Sequence, residues 1–250
     1  MAAVLVTGGT GVLGTYLADR LASRGHEVRA LSRRAPQSMH PKVSYLRGNV
    51  LTGDGLDDAV TGVDTVIHAA TSFRRRARET ELRGTENTLA AAKSADAHFI
   101  YMSIVGTDRN SLGYYKAKLE AERIVEASGS NWTIQRATQF HELIDTFLGL
   151  PVFPVTRNMS FQCVDAGDVS ERLVQLVDNG PTGRAEDFGG PEVVPIRELA
   201  AARTRIAGRK SRLVPMPVKG FFEDFDRGAH LCPDQARGTR TWQQWLQDHS

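Results

Sequence analysis

A short strand that runs into three evenly spaced glycines and out into a helix leaves few folds open. The stretch VLVTGGTGVLGTYLADRL has this form. A β-branched run, Ala3 to Val6, leads through Thr7 to Gly8, Gly11 and Gly14, and a helical pattern continues over Tyr16 to Ser23. Each glycine has a mechanical reading: Gly8 permits a tight turn, Gly11 lets backbone approach a pyrophosphate, and Gly14 lets helix and strand pack closely. The free amides and positive dipole end of the helix then face the phosphates. Glycines alone are a weak signal, but strand, turn and helix stand here in the order the motif requires. Thr7, Gly8, Thr10, Gly11, Val12, Leu13 and Gly14 are therefore expected to line a dinucleotide site.

Downstream, strands alternate with helices. Strands are predicted at His26 to Leu31, Val43 to Leu46, Thr65 to Ala69, His98 to Ser103 and Trp132 to Arg136, and helices at Glu79 to Ala92 and Leu112 to Ala127. This alternation means βαβ units and a parallel sheet, with ligands beyond the carboxyl ends of the strands. The expected fold class is α/β, a Rossmann-like doubly wound parallel sheet with a small C-terminal substrate lobe. After Gln139 the rhythm loosens. Leu148 to Val155 is punctuated by proline, Asp165 to Val177 and Ile196 to Ile206 look helical, and Leu213 to Gln235 reads as irregular. Thr241 to Gln247 is a short helix with Trp242, Trp245 and Leu246 on one side, read as core packing ahead of substrate stacking. The reading is one domain over 1–250, with a substrate-covering lobe drawn mainly from about 140–165 and 190–250.

A chain of 250 residues, 41% hydrophobic and 24% charged, buries a substantial core without staples. Its net charge of +2 gives no support for a nucleic-acid surface. The basic run FRRRARE, Phe73 to Glu79, reads as a solvated face ahead of contact with an acidic substrate. The two cysteines, Cys163 and Cys232, are far apart and make neither metal-ligand spacing nor a disulfide framework. A reduced, cytoplasmic setting is the default expectation. MAAVLVTGG reads as a strand rather than a secretory leader, and no apolar run approaches a membrane span. The expected partner is a small molecule, with no metal, nucleic acid or membrane; monomer and dimer both stay open.

The second strand ends in ALSRR, Ala30 to Arg34. A site for NAD usually offers an acid here for the ribose 2′-hydroxyl. Ser32, Arg33 and Arg34 stand there instead, and guanidinium groups match a phosphate. NADP(H) is therefore the expected cofactor, with Arg33 and Arg34 on its 2′-phosphate.

In LGYYKAKLEAE, Leu112 to Glu122, helical projection puts Tyr114 and Lys118 on the side of Ala117, Ala121, Ile124 and Val125. Lys116, Glu120 and Arg123 fall opposite. A lysine beside an apolar stripe needs a partner, or must snorkel to water. Tyr115 lies on another flank, so Tyr114 is the member paired with Lys118.

Taken together, these motifs resemble the extended and atypical short-chain dehydrogenase/reductase superfamily, and most of all its NmrA-like, NAD(P)-binding members. The Gly-x-x-Gly-x-x-Gly spacing, HAAT at His68 to Thr71, RGTENTL at Arg83 to Leu89, YMSIVG at Tyr101 to Gly106 and GGPEV at Gly189 to Val193 carry the resemblance. NVL at Asn49 to Leu51 is similar to the element that contacts adenine, with Asn49 in place of the acid.

The resemblance implies roles. Tyr114 exchanges a proton with the substrate oxygen, Lys118 holds the nicotinamide ribose, and Ser103 bonds the substrate oxygen. Asn49 and Val50 meet adenine, Ala69, Ala70 and Thr71 form the loop after the fourth strand, and Ala137 belongs to the loop behind the nicotinamide. Gln139, Phe140 and His141 face the substrate, with His141 either an alternative proton donor or a structural residue. Phe140, Phe153, Met159 and the Phe221 to Phe225 segment are candidate walls of an apolar pocket. Two departures stand out: the loop between Ser103 and Tyr114 is short, and Glu81 replaces an asparagine common in the family. The leading expectation is an NADPH-dependent oxidoreductase that reduces a carbonyl, quinone or related conjugated small molecule. A non-catalytic NADP(H)-binding redox sensor, and an epimerase-type enzyme using bound nicotinamide, remain as alternatives.

Overall fold

The computed structural model describes residues 1–34, 40–72 and 76–249, so Phe73 to Arg75 of the basic run lie outside the described residues. In chain order the first elements are β1 (Ala3–Thr7), α1 (Val12–Ser23), β2 (Glu27–Ser32), β3 (Val43–Arg47), α2 (Leu56–Val60), β4 (Thr65–His68), α3 (Ala77–Ser94), β5 (His98–Ile104), α4 (Gly113–Glu126) and β6 (Trp132–Ala137). Then come α5 (His141–Leu148), β7 (Phe153–Val155), β8 (Ser160–Phe161), α6 (Ala166–Asn179), β9 (Gly183–Arg184), β10 (Val194–Pro195), α7 (Ile196–Ala207), β11 (Leu213–Pro215), α8 (Phe221–Asp226) and α9 (Trp242–Asp248). The chain divides into two units. The first is Met1–Ser103 with Ala117–Gln135 and Ser170–Ala185; the second is Ile104–Lys116 with Arg136–Val169 and Glu186–Ser250.

The first unit is built on a parallel sheet of seven strands in the order β3-β2-β1-β4-β5-β6-β9. The Rossmann-like α/β reading is therefore correct. All four residues of β4 are buried, as are the first six of β5, which is what helices on both faces of a parallel sheet demand. Leu5, Leu31, Val66, Phe99, Tyr101, Ala121 and Val125 belong to one continuous core. The strand order reverses at β1, which pairs with β2 on one side and β4 on the other. In open sheets of this kind that reversal marks the ligand crevice.

Two glycines, one in the turn after β1 and one in the first turn of α1, let the two elements join closely. Gly8 sits at φ +71°, in the left-handed region. Gly14 has no room for a side chain, since a Cβ there would lie 2.2 Å from the carbonyl oxygen of Gly8. On α3, Asn87 Nδ2 donates to the carbonyls of Val50 at 2.9 Å and Leu51 at 3.2 Å, which ties the loop after β3 to the helix.

In the second unit β8 pairs antiparallel with β10, and β7 pairs parallel with β11. Ile144, Leu148, Val155, Met159, Phe161, Leu199, Trp242, Trp245 and Leu246 share its core. Helix α9 starts with a reciprocal cap between Thr241 and Gln244, and Trp242 Nε1 donates to the Leu199 carbonyl at 3.0 Å. The tryptophans thus pack as core residues. The segment expected to be irregular, Leu213 to Gln235, contains β11 and α8, and the proline-punctuated Leu148 to Val155 ends in β7. Helices α2 and α5 had no counterpart in the sequence reading; at five and eight residues they are too short for their period to declare itself.

Candidate functional site

The loop after β1 and the loop after β4 lie at the carboxyl ends of neighbouring strands. They approach closely: a Cβ on Gly8 would stand 2.9 Å from the Ala70 backbone. Thr7 is buried beneath them, its Oγ1 bonded to His68 Nδ1 at 2.8 Å. Gly11 caps α1 without any side-chain hydrogen bond. The first amides of a helix have no partner within it, so this end is a natural anion seat. Val12 and Gly11 are exposed, while Leu13 turns into the core. This cradle of bare backbone fits the pyrophosphate of a dinucleotide.

At the end of β2, Ser32 Oγ lies 2.7 Å from Thr10 Oγ1 and also accepts from the Arg34 amide at 3.3 Å. Arg33 and Arg34 are both exposed. Asn49 is half-buried; its Oδ1 accepts from the Leu51 amide at 3.2 Å in a local turn. Thr71, in the loop after β4, donates to Glu81 Oε2 at 2.9 Å.

Two of the three expected catalytic side chains are held by buried carboxylates. Lys118 Nζ stands 2.8 Å from Glu81 Oε1, with the side chains only 5% and 0% exposed. The same ammonium donates to the Met102 carbonyl at 2.9 Å and lies 4.8 Å from the centre of the Tyr101 ring. Tyr101 also donates its hydroxyl to Glu81 Oε1. Burial pushes the Glu81 carboxyl up, but the Lys118 ammonium, the Tyr101 hydroxyl and His68 together outweigh it and hold it below the ordinary range. His68 goes the other way: burial lowers its pKa to about 4, so it is neutral. Ser103 is fully buried and donates to Glu122 Oε1, whose other oxygen accepts from Arg184 Nη1 at 2.9 Å. Arg184 also reaches Glu126, at 2.6 Å.

Tyr114 precedes Lys118 by one turn of α4 and is half-buried. Its neighbour Tyr115 is buried, accepts from Gln139 Nε2 at 2.9 Å and meets the Phe225 ring edge-on at 5.9 Å. Burial, the neighbouring Tyr114 and the Gln139 hydrogen bond act on Tyr115 in that order, and the net effect raises its phenol above the ordinary value.

His141 does not face outward. It is fully buried, its ring lies 5.7 Å from both Trp242 and Trp245, and its Nε2 bonds the Arg240 carbonyl at 3.1 Å. Burial lowers its pKa to about 4. The structure thus packs His141 inside the second unit, against the two tryptophans. Phe140 is half-buried just before α5, and Met159 lies in the core of the second unit. Ala137 is buried, with its carbonyl accepting from the Val105 amide at 3.0 Å. In the basic run, Arg76 pairs with Glu79 at 2.7 Å and Arg78 with Glu120 at 2.7 Å, as a solvated face would.

Glu81 and Glu122 hold the two side chains in ways the sequence does not declare. Glu81 stands in the sequence as a departure from the family's asparagine. Yet it precedes Gly84, Thr85 and Thr88 at helical spacing, and all four are buried. An acid on a face of small residues is the signal that was available.

A parallel sheet whose order reverses above a glycine turn, with an uncapped helix end facing the gap, defines a Rossmann-type nucleotide-binding protein. A family model described as NAD(P)H-binding matches residues 8–179, more than half of the chain, and the chain belongs to that family. It is 30% identical over 226 residues to a (4-alkanoyl-5-oxo-2,5-dihydrofuran-3-yl)methyl phosphate reductase of Streptomyces griseus, covering 86% of this chain and 77% of that protein. It is also 30% identical over 244 residues to a ceramide reductase of Caulobacter vibrioides, covering 87% and 74%. The first curated relatives, uncharacterised mycobacterial proteins, are 29% identical over 213 residues, and the match spans 81% of this chain but only 23% of theirs. Among solved structures, the NADPH complex of the Escherichia coli quinone oxidoreductase QOR2 shares the fold, with a TM-score of 0.76 at 17% identity over 98% of this chain and 99% of that one. Among the described residues, no helix is long and apolar enough to cross a membrane.

Proposed function

We propose that this protein is an NADPH-dependent reductase of a carbonyl, quinone or related conjugated small molecule, with Tyr114 as the proton donor. The observation that carries the reading is Lys118: a buried, ion-paired lysine one helical turn from a half-buried tyrosine, in a chain of the NAD(P)H-binding family. Two relatives at 30% identity named as reductases lend support.

In this reading the amides of Val12 to Gly14 take the pyrophosphate, with Thr7, Gly8, Thr10 and Gly11 shaping the turn. Arg33 and Arg34, with Ser32, take the 2′-phosphate. Asn49 and Val50 border the adenine, Ala69 to Thr71 and Ala137 line the remaining length, and Lys118 holds the ribose hydroxyls. NADPH held by these residues would supply the hydride, and so both electrons, for reduction of the electrophilic carbon. The substrate oxygen, gaining the electron pair of its broken π bond, takes the proton of Tyr114, and solvent reprotonates the phenol. Ser103 orients the substrate oxygen, and Gln139 and Phe140 border the substrate. The segments at about 140–165 and 190–250 serve as the substrate lobe.

One observation favours the sensor reading instead. The Ser103 hydroxyl is already committed to the buried Glu122, as a purely structural serine would be. NADPH oxidation against a panel of aldehydes, ketones and quinones, with NADPH binding followed by its fluorescence, separates the two. Turnover with at least one acceptor supports the reductase. Binding without oxidation by any acceptor supports the sensor.

A further inference from the structure

The Lys118 ammonium is held from two sides by two different elements. Glu81 reaches it from α3 at 2.8 Å, and β5 supplies the Met102 carbonyl at 2.9 Å and the Tyr101 ring at 4.8 Å. Glu81 is fixed in turn, by the Tyr101 hydroxyl on one oxygen and by Thr71 on the other at 2.9 Å. A buried carboxylate bonded through both oxygens is a rigid counter-charge, and in a low-dielectric interior it acts strongly on its neighbours.

We propose that Glu81 is a positioning residue that fixes the Lys118 ammonium against β5 and balances its charge, so that the Tyr114 hydroxyl keeps its proton and the site works as an acid. The inference rests on the reductase reading. A lysine with no counter-charge pulls a nearby phenol toward phenolate, the form that serves as a base in alcohol oxidation. Glu81 opposes that pull, and the protonated phenol is the form a reductase needs.

Titratable groups on the neighbouring elements have partners of their own. His68 on β4 is neutral and bonded to Thr7. Tyr101 on β5 is bonded to Glu81 itself. Glu122, one turn further along α4, is committed to Ser103 and to Arg184 of β9.

The test is the pH profile of kcat for wild type, Glu81→Gln and Glu81→Asp, with the NADPH dissociation constant at each pH. Glu81→Gln is expected to move the alkaline limb of kcat down by about one pH unit or more. Two effects act in that direction: the phenol loses its proton sooner, and the unpaired ammonium loses its charge sooner. Glu81→Asp, which keeps the charge, should recover part of the shift. An unmoved limb with lower amplitude would mean that Glu81 only supports the fold, and would overturn the proposal.

A second measurement needs no variant to fold with Glu81 removed, and no turnover. In wild type labelled with ¹⁵N-lysine, the Lys118 ammonium resonance, assigned by its loss in Lys118→Arg, should persist to pH 9. Its disappearance below pH 8 would overturn the counter-ion role. If no acceptor ever oxidises NADPH, the reductase reading fails, and this resonance still reports on the Glu81–Lys118 pair by itself.

Discussion

Glu81 and Lys118 meet 2.8 Å apart with their side chains almost closed to solvent, and each has further hydrogen bonds of its own. Breaking such a pair from one side leaves an uncompensated buried charge. Glu81→Leu or Lys118→Met alone should therefore cost about 3–5 kcal/mol, whereas the double replacement should recover most of the loss. Urea unfolding of the three variants checks this; equal and additive losses would show that the pair is not coupled. Because the fold holds the Glu81 carboxyl below its ordinary value, its contribution is present above the ordinary carboxylate range and is lost as pH falls through the lowered value.

Acid should destabilise the fold well before carboxylates titrate. Burial lowers His68, His98, His141 and His230 each to about 4. The unfolded chain then binds protons that the folded chain refuses, so stability falls as pH drops from about 6.5 to about 4. Each histidine contributes up to about 1.4 kcal/mol per pH unit within that window. The slope of unfolding free energy against pH, measured from pH 7.5 to 4.5, gives the number of protons taken up. A flat slope above pH 5 would mean the histidines are open to solvent.

Arg33→Ala with Arg34→Ala should weaken NADPH binding about tenfold or more and leave NADH binding nearly unchanged, since charge-assisted bonds to the 2′-phosphate are the ones removed. Fluorescence titration with both nucleotides reads this directly. Equal weakening of both would remove the arginines from cofactor selection.

Gly14→Ala should fail where most surface alanines succeed. The added carbon would stand 2.2 Å from the Gly8 carbonyl oxygen and 2.8 Å from the Gly9 Cα, and both are backbone. A loss of about 1–3 kcal/mol or more is expected, together with loss of NADPH binding, because the turn itself must shift. A thermal melt with and without NADPH tests both parts. A variant that keeps its Tm and its nucleotide response would show that the turn is looser than this.

Period and punctuation made the first unit readable. Its central strands, β1, β4 and β5, are buried apolar runs, its long helices show their spacing, and Gly8 and Gly14 occupy positions that only glycine tolerates. The Tyr114 to Lys118 pattern also showed that the lysine needed a partner. What the sequence could not show was the partner itself, because Glu81 lies on a different helix and comes near only through the sheet crossover. The same holds for Glu122 and Ser103, joined across α4 and β5. The burial of His141 was not legible because a lone histidine carries no mark of its surroundings, and here Trp242 and Trp245 from the far end of the chain pack against it. The small strands β7 to β11 escaped because two or three residues cannot express a period.

Two adjacent tyrosines make the most direct measurement available. Tyr115 is buried and bonded to Gln139, whereas Tyr114 is half-buried one turn before Lys118. Single-turnover oxidation of bound NADPH, with the best acceptor from the panel, should be compared in wild type, Tyr114→Phe and Tyr115→Phe. The expected result is a loss of about 10²–10⁴-fold in Tyr114→Phe with NADPH affinity intact, and near wild-type rates in Tyr115→Phe. Full rates in Tyr114→Phe, or a loss confined to Tyr115→Phe, would contradict the assignment of Tyr114 as the proton donor.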